Sequence, residues 1–118
     1  MATKVTTLNN LEIAIIEPRG SIIGGGETDE LKTKARDLFE QGNRKLVIDL
    51  GGVTYISSTG IGALVGIYTM YSKDKGVVKL CGMNTSVQNI FVITKLTSVF
   101  EVTDTRDEAV KSLQSTPA

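Results

Sequence analysis

Apolar positions along the chain fall into two alternating patterns: short continuous runs, and stripes at helical spacing. Leu11 to Glu17 carries Ile13, Ala14, Ile15 and Ile16 and reads as a buried strand, closed by Pro18-Arg19-Gly20. Lys4 to Leu8 reads as a short edge strand. Asn9-Asn10 between the two is a turn signal, so together they predict an N-terminal hairpin. Ser21 to Gly26, with three consecutive glycines, reads as a loop. Thr28 is then placed to cap a helix in which Leu31, Ala35, Leu38 and Phe39 share a face and which Gly42 ends. Lys45 to Leu50 predicts a central strand and Gly51 to Ser57 a connection. A helix from near Ser58 carries the stripe Ile61, Leu64, Val65 and Tyr68, and Gly76 closes it. Val77 to Cys81 is a further strand, and Asn84 or Thr85 caps a helix with Val87, Ile90 and Phe91 inward. Ser98 to Val102 predicts a last strand, and Asp104 to Leu113 a terminal helix with Ala109, Val110 and Leu113 inward. Ser115 to Ala118 is expected to fray.

Strands separated by single helices pair in parallel through right-handed crossovers, and the hairpin adds an antiparallel edge. The expectation is one α/β domain over residues 1–118: a mixed four- to five-stranded sheet with about four helices. Neither a repeat nor a linker is visible.

Composition narrows the chemistry. The 118 residues contain 13 basic and 13 acidic side chains, so no field of one sign draws in nucleic acid or an anionic membrane. Histidine is absent, which removes Ser-His-Asp and Cys-His catalysis and every histidine-containing metal site. The single cysteine, Cys81, allows no internal disulfide and no thiolate zinc site. No run approaches the roughly 18 apolar residues of a membrane span, and the start, Met1-Ala2-Thr3-Lys4-Val5, has no apolar signal core. A cytoplasmic protein that is not an enzyme, without cofactor, metal, nucleic acid or membrane, is the expectation. The carboxylates form no acid–base dyad. Asp49, at the end of an apolar strand, orients the loop after it.

One stretch concentrates reactive groups: Tyr55-Ile56-Ser57-Ser58-Thr59-Gly60-Ile61-Gly62, where a strand hands over to a helix. Hydroxyls there satisfy orphan N–H groups of the first turn. They are also exposed, and a phosphate on one of them would meet free donors and a favourable helix dipole. Both roles fit the stretch, one hydroxyl capping and its neighbour reacting. Gly60, Gly62 and Gly66 faintly suggest a dinucleotide fingerprint, but Cys81-Gly82-Met83 stands where the acidic residue closing the next strand belongs. Close packing on the sheet, or a flat surface for a partner, explains the small residues Gly62, Ala63 and Gly66 better. Gly24-Gly25-Gly26 lacks the Lys-Ser or Lys-Thr of a phosphate-binding P-loop.

With Ser57-Ser58-Thr59-Gly60 the sequence resembles the anti-sigma-factor antagonists, whose domain is called STAS. The resemblance extends through Leu46-Val47-Ile48-Asp49-Leu50, Gly60-Ile61-Gly62-Ala63-Leu64, Gly76-Val77-Val78-Lys79-Leu80, Ile90-Phe91-Val92-Ile93-Thr94-Lys95-Leu96 and Val99-Phe100-Glu101-Val102. It implies partner switching. The unphosphorylated protein binds an anti-sigma factor that is itself a serine kinase; phosphorylation releases it, and a metal-dependent serine phosphatase resets it. The implied acceptor is Ser58, with Ser57 the second choice. The implied partner surface is Ser21, Ile22, Ile23 and Gly24 together with Ser57, Ser58, Thr59, Gly60, Ile61 and Gly62. The chain departs from the family in three places. Ser57 replaces the usual acid, Gly20-Ser21-Ile22-Ile23 lacks the usual acidic pair, and Lys95 replaces a glycine, which implies a left-handed backbone there. A nucleotide- or small-ligand-binding module and a constitutive scaffold subunit are the alternative functions.

Overall fold

The computed structural model describes residues 3–114. The hairpin forms as the apolar pattern requires: β1 (Lys4–Leu8) runs antiparallel to β2 (Ile13–Glu17), in register from Lys4 opposite Glu17 to Leu8 opposite Ile13. Parallel strands β4 (Lys45–Asp49), β6 (Val77–Cys81) and β7 (Glu101–Thr103) complete a five-stranded sheet in the order β1-β2-β4-β6-β7. Alternation along the strands splits its side chains between two layers. Ala14, Ile16, Leu46, Ile48, Val78 and Leu80 enter the main core. There they meet α1 (Gly26–Glu40), α2 (Ser58–Ser72) and α3 (Thr85–Ile93) through Leu31, Leu38, Leu64, Ile67, Val87 and Phe91. Ile13, Ile15, Val47 and Cys81 face the other way, under Ala109 and Leu113 of α4 (Arg106–Gln114).

The structure corrects several expectations. Arg19–Ile22, read as the end of a strand and the start of a loop, is strand β3. Gly52–Ile56, read as a connection, is strand β5. The two pair in parallel as a separate two-stranded ribbon. Neither has an apolar run, because each buries only one side. Thr28 does not cap α1: Gly25 occupies the N-cap position, and Thr28 is a buried first-turn residue. On α2 the buried face is Gly60, Ala63, Leu64, Ile67 and Tyr71, whereas Ile61, Val65 and Tyr68 pack at its margin. The stretch expected to begin the last strand is partly a 3₁₀ turn (Leu96–Ser98), and α4 starts at Arg106 rather than Asp104. Lys95 does adopt the left-handed conformation, with φ of 61°. Ser115 to Ala118 lie outside the described residues.

Two polar assemblies hold the layers in place. Asn43, fully buried, donates from Nδ2 to the carbonyls of Leu11 (2.8 Å) and Lys45 (3.0 Å), and its Oδ1 accepts from the Tyr71 hydroxyl (2.8 Å). This ties the hairpin turn, the entry to β4 and the end of α2 together. Burial also raises the Tyr71 pKa, so that hydroxyl stays a donor. On the other layer, Arg106 bridges Glu17 and Asp49, while Asp49 Oδ1 accepts from the Gly51 N–H (2.9 Å). Asp49 therefore orients the loop after β4, as its position suggested. Burial works against the Arg106 charge, but the hydrogen bonds it donates to Asp49 and the charge of Glu17 outweigh it and raise its pKa.

Candidate functional site

The ribbon delivers the serine motif. Ile22 and Ile56 sit opposite each other at its end, both buried. One backbone carbonyl then organises the turn into α2: the O of Ile22 accepts from the Ser57 N–H (3.1 Å) and, at 3.5 Å, from the Ser57 hydroxyl. Ser57 has extended dihedrals (φ −88°, ψ 175°), and its Oγ accepts from the Gly60 N–H (3.3 Å). It is the N-cap. Gly60 is required because a Cβ there would lie 2.1 Å from the Ile22 oxygen.

Ser58 begins the helix proper. It is exposed, and among the described residues its hydroxyl has no hydrogen-bond partner. Ser57 is therefore the capping hydroxyl, and Ser58 presents an exposed hydroxyl at the positive end of α2.

The glycine-rich loop belongs to the same surface. The Gly24 N–H donates to Thr28 Oγ1 (2.7 Å), and a Cβ on Gly24 would touch the Thr59 methyl at 3.3 Å. Gly24 and Gly25 have φ of 103° and 83°, a conformation that favours glycine. Behind this loop a groove of about 530 Å³ runs between α1 and α2. Its lining includes Thr59, Gly62, Gly66 and Met70 from α2, and Asp29, Lys32 and Arg36 from α1. No group of three or more His, Cys, Asp or Glu that could hold a metal occurs among the described residues.

A sequence model of the STAS domain matches residues 4–109. The chain belongs to the STAS domain family. The anti-sigma-B factor antagonist of Bacillus subtilis is 36% identical to this STAS chain over 72 residues, 61% of the chain and 65% of that protein. The crystal structure of a candidate anti-sigma factor antagonist from Thermotoga maritima superimposes with a TM-score of 0.86 at 21% identity, covering 95% of this chain and 94% of that one. The phosphorylated form of SpoIIAA, a Bacillus cell fate determinant, gives a TM-score of 0.74 at 15% identity, covering 95% of this chain and 99% of that one.

Within this STAS domain the residues expected to meet a partner are gathered at one end of the ribbon, but they are not equally available. Ser21, Ile23, Ser58, Thr59 and Gly62 are exposed; Gly24, Ser57 and Ile61 are partly so. Ile22 and Gly60 are buried, so Ile22 takes part through its carbonyl and Gly60 through its lack of a side chain. Sequence reasoning missed Tyr55, which is 51% exposed and sits opposite Ser21 in the ribbon. It read Thr28 only as a helix cap and left Lys32 and Arg36, which line the groove, unremarked. An exposed tyrosine in an unrecognised strand gives no periodic signal, and a helix–helix groove exists only once both helices are placed.

Proposed function

We propose that the protein is an anti-sigma-factor antagonist that works by partner switching in the cytoplasm, with Ser58 as the phosphoacceptor. The observation that carries this reading is the split between Ser57, whose hydroxyl is engaged as the cap, and Ser58, whose hydroxyl is exposed and unbonded. Unphosphorylated, the surface around Ser58 binds an anti-sigma factor, with Ile23 and Tyr55 offering apolar contact beside it. That anti-sigma factor supplies the serine kinase activity, and a catalyst carried by the partner suits a chain without histidine. A metal-dependent serine phosphatase restores the free hydroxyl.

Phosphate on Ser58 adds about 1.5 to 2 negative charges at a helix start that tolerates them. The fold is little disturbed while the docking face is transformed. A shift of about 2.8 kcal/mol, a hundredfold in affinity, is within reach of an unpaired phosphate buried at an interface. Serine in place of the family's acid at position 57 fits this geometry, because serine and aspartate serve about equally well as N-caps. The replacement also leaves one charge fewer beside an incoming phosphate.

The test is intact mass and peptide mapping of protein from its own cells, with and without phosphatase treatment. Phosphate on Ser58 supports the switch, and phosphate on Ser57 moves the acceptor to the capping residue. Absence of phosphate under growth and stress refutes the switch.

A further inference from the structure

Two glycines of α2 have no explanation in the packing of the described residues. Gly62 and Gly66 lie one turn apart inside the helix, both exposed, and a Cβ on either would meet nothing within 4 Å. Glycine weakens a helix interior relative to alanine, and here nothing internal requires it, in contrast to Gly60. Both line the groove between α1 and α2, beside Ala63, Ile67 and Met70. On the α1 wall stand Lys32 and Arg36, exposed, one turn apart, and without an ion pair among the described residues. Asp29 stands one turn earlier, nearer the glycine loop. The groove thus has its acidic side chain at the end next to Thr59, where both helix N-termini lie, and its two cations at the far end.

We propose that this groove seats a helix of the anti-sigma factor, with an apolar ridge over Gly62 and Gly66 and a carboxylate facing Lys32 and Arg36. The inference rests on the partner-switching reading and extends its interface beyond the serine. Charge complementarity to Lys32 and Arg36 names the occupant's chemistry, and their place at the far end sets its direction. The groove is continuous with the switch surface, since Thr59 follows Ser58 in the chain and lines the mouth. From Thr59 to Met70 α2 rises by about 16 Å, room for roughly three turns of a docked helix. Glycines let a second backbone approach closely, ridge into groove. The cations at the far end steer the encounter and set its register.

The test is calorimetric titration with the anti-sigma factor, identified by mass spectrometry after co-purification on the tagged full chain and then produced on its own. Lys32→Glu/Arg36→Glu should weaken binding by about tenfold or more and flatten its salt dependence. Gly62→Ala/Gly66→Ala should weaken binding comparably while raising the thermal midpoint of the free protein, a combination that a damaged fold would not produce. Wild-type affinity in both double variants overturns the groove assignment and leaves the switch intact, provided Ser58→Asp still weakens binding. If Ser58→Asp also binds like wild type, or if the wild type binds no anti-sigma factor, the underlying reading fails as well. A wild-type homodimer that the same variants dissociate would assign the groove to a second copy and overturn the proposal.

Discussion

The same substitution placed twice on one helix should have opposite effects. Alanine at Gly66 adds a methyl to open space in a helical backbone, so only the propensity gain remains, about 0.5 to 1 kcal/mol of added stability. Alanine at Gly60 puts its Cβ 2.1 Å from the Ile22 carbonyl oxygen, more than an ångström inside ordinary contact. The obstacle is backbone, so strand β3 or the first turn of α2 must retreat. Retreat stretches the 3.1 Å bond from the Ser57 N–H to Ile22 and the 3.3 Å cap from Gly60 to Ser57 Oγ. Overpacking costs about 1–3 kcal/mol, and a weakened cap about 0.5–2 kcal/mol. Offset by the propensity gain, the net loss is about 2–3 kcal/mol. For 118 residues the unfolding entropy makes 1 kcal/mol worth about 4 °C in Tm. Gly66→Ala should therefore melt about 2–4 °C above wild type and Gly60→Ala about 8–12 °C below it, by calorimetry or by circular dichroism at 222 nm. A Gly60→Ala protein that melts at or above wild type would refute the account of the Ile22 junction. A Gly66→Ala protein that melts lower would refute the open space assigned to that position.

Ser57→Ala should lower stability in urea by about 1 kcal/mol through loss of the cap, whereas Ser58→Ala should stay within about 0.5 kcal/mol of wild type. Tyr71→Phe leaves Asn43 Oδ1 buried without its donor and should cost about 1–3 kcal/mol in the same assay. Cys81 is buried, and that burial, aided by the nearby Asp49 charge, pushes its thiol up to about 12. A thiol reagent at pH 8 should leave native protein untouched and label it only on unfolding. Because the folded thiol holds its proton longer than the unfolded one, its contribution is complete below about pH 9 and is lost as pH rises toward 12. Urea midpoints should therefore fall less steeply between pH 8 and 10.5 in Cys81→Val than in wild type.

Elements whose residues are buried on both sides or along a full stripe were legible in the sequence. Ile13-Ala14-Ile15-Ile16 and Leu46-Val47-Ile48 stand out as runs because both faces of the central strands are covered. The sequence offers Asn84 or Thr85 as the cap of α3, and Asn84 takes the position, accepting from the Val87 N–H at 2.8 Å. Arg19-Gly20-Ser21-Ile22 carried no such signal: only Ile22 is buried, and the strand exists because β5 lies beside it. The serine motif could be located but not apportioned. Which hydroxyl caps depends on where the Ile22 carbonyl ends up, a contact 35 residues distant in sequence. The stripe on α2 slipped for a related reason: Gly60 and Ala63 are buried for their smallness, which a count of large apolar residues ignores.

The sheet is covered unequally, three helices on one side and α4 alone on the other. What holds α4 is a small cluster around Ala109 and Leu113, the Arg106 bridge to Glu17 and Asp49, and the tie from Lys79 to Glu101 and Ser112. Such a helix can lift away in a partial opening well below the free energy of global unfolding. Its amides should exchange together and early, while those of α2 wait for the whole chain. Since Ser58 belongs to the opposite layer, the surface proposed for the switch keeps its shape during these excursions. The α4 side is thus open to evolutionary redesign without disturbing the end that carries Ser58.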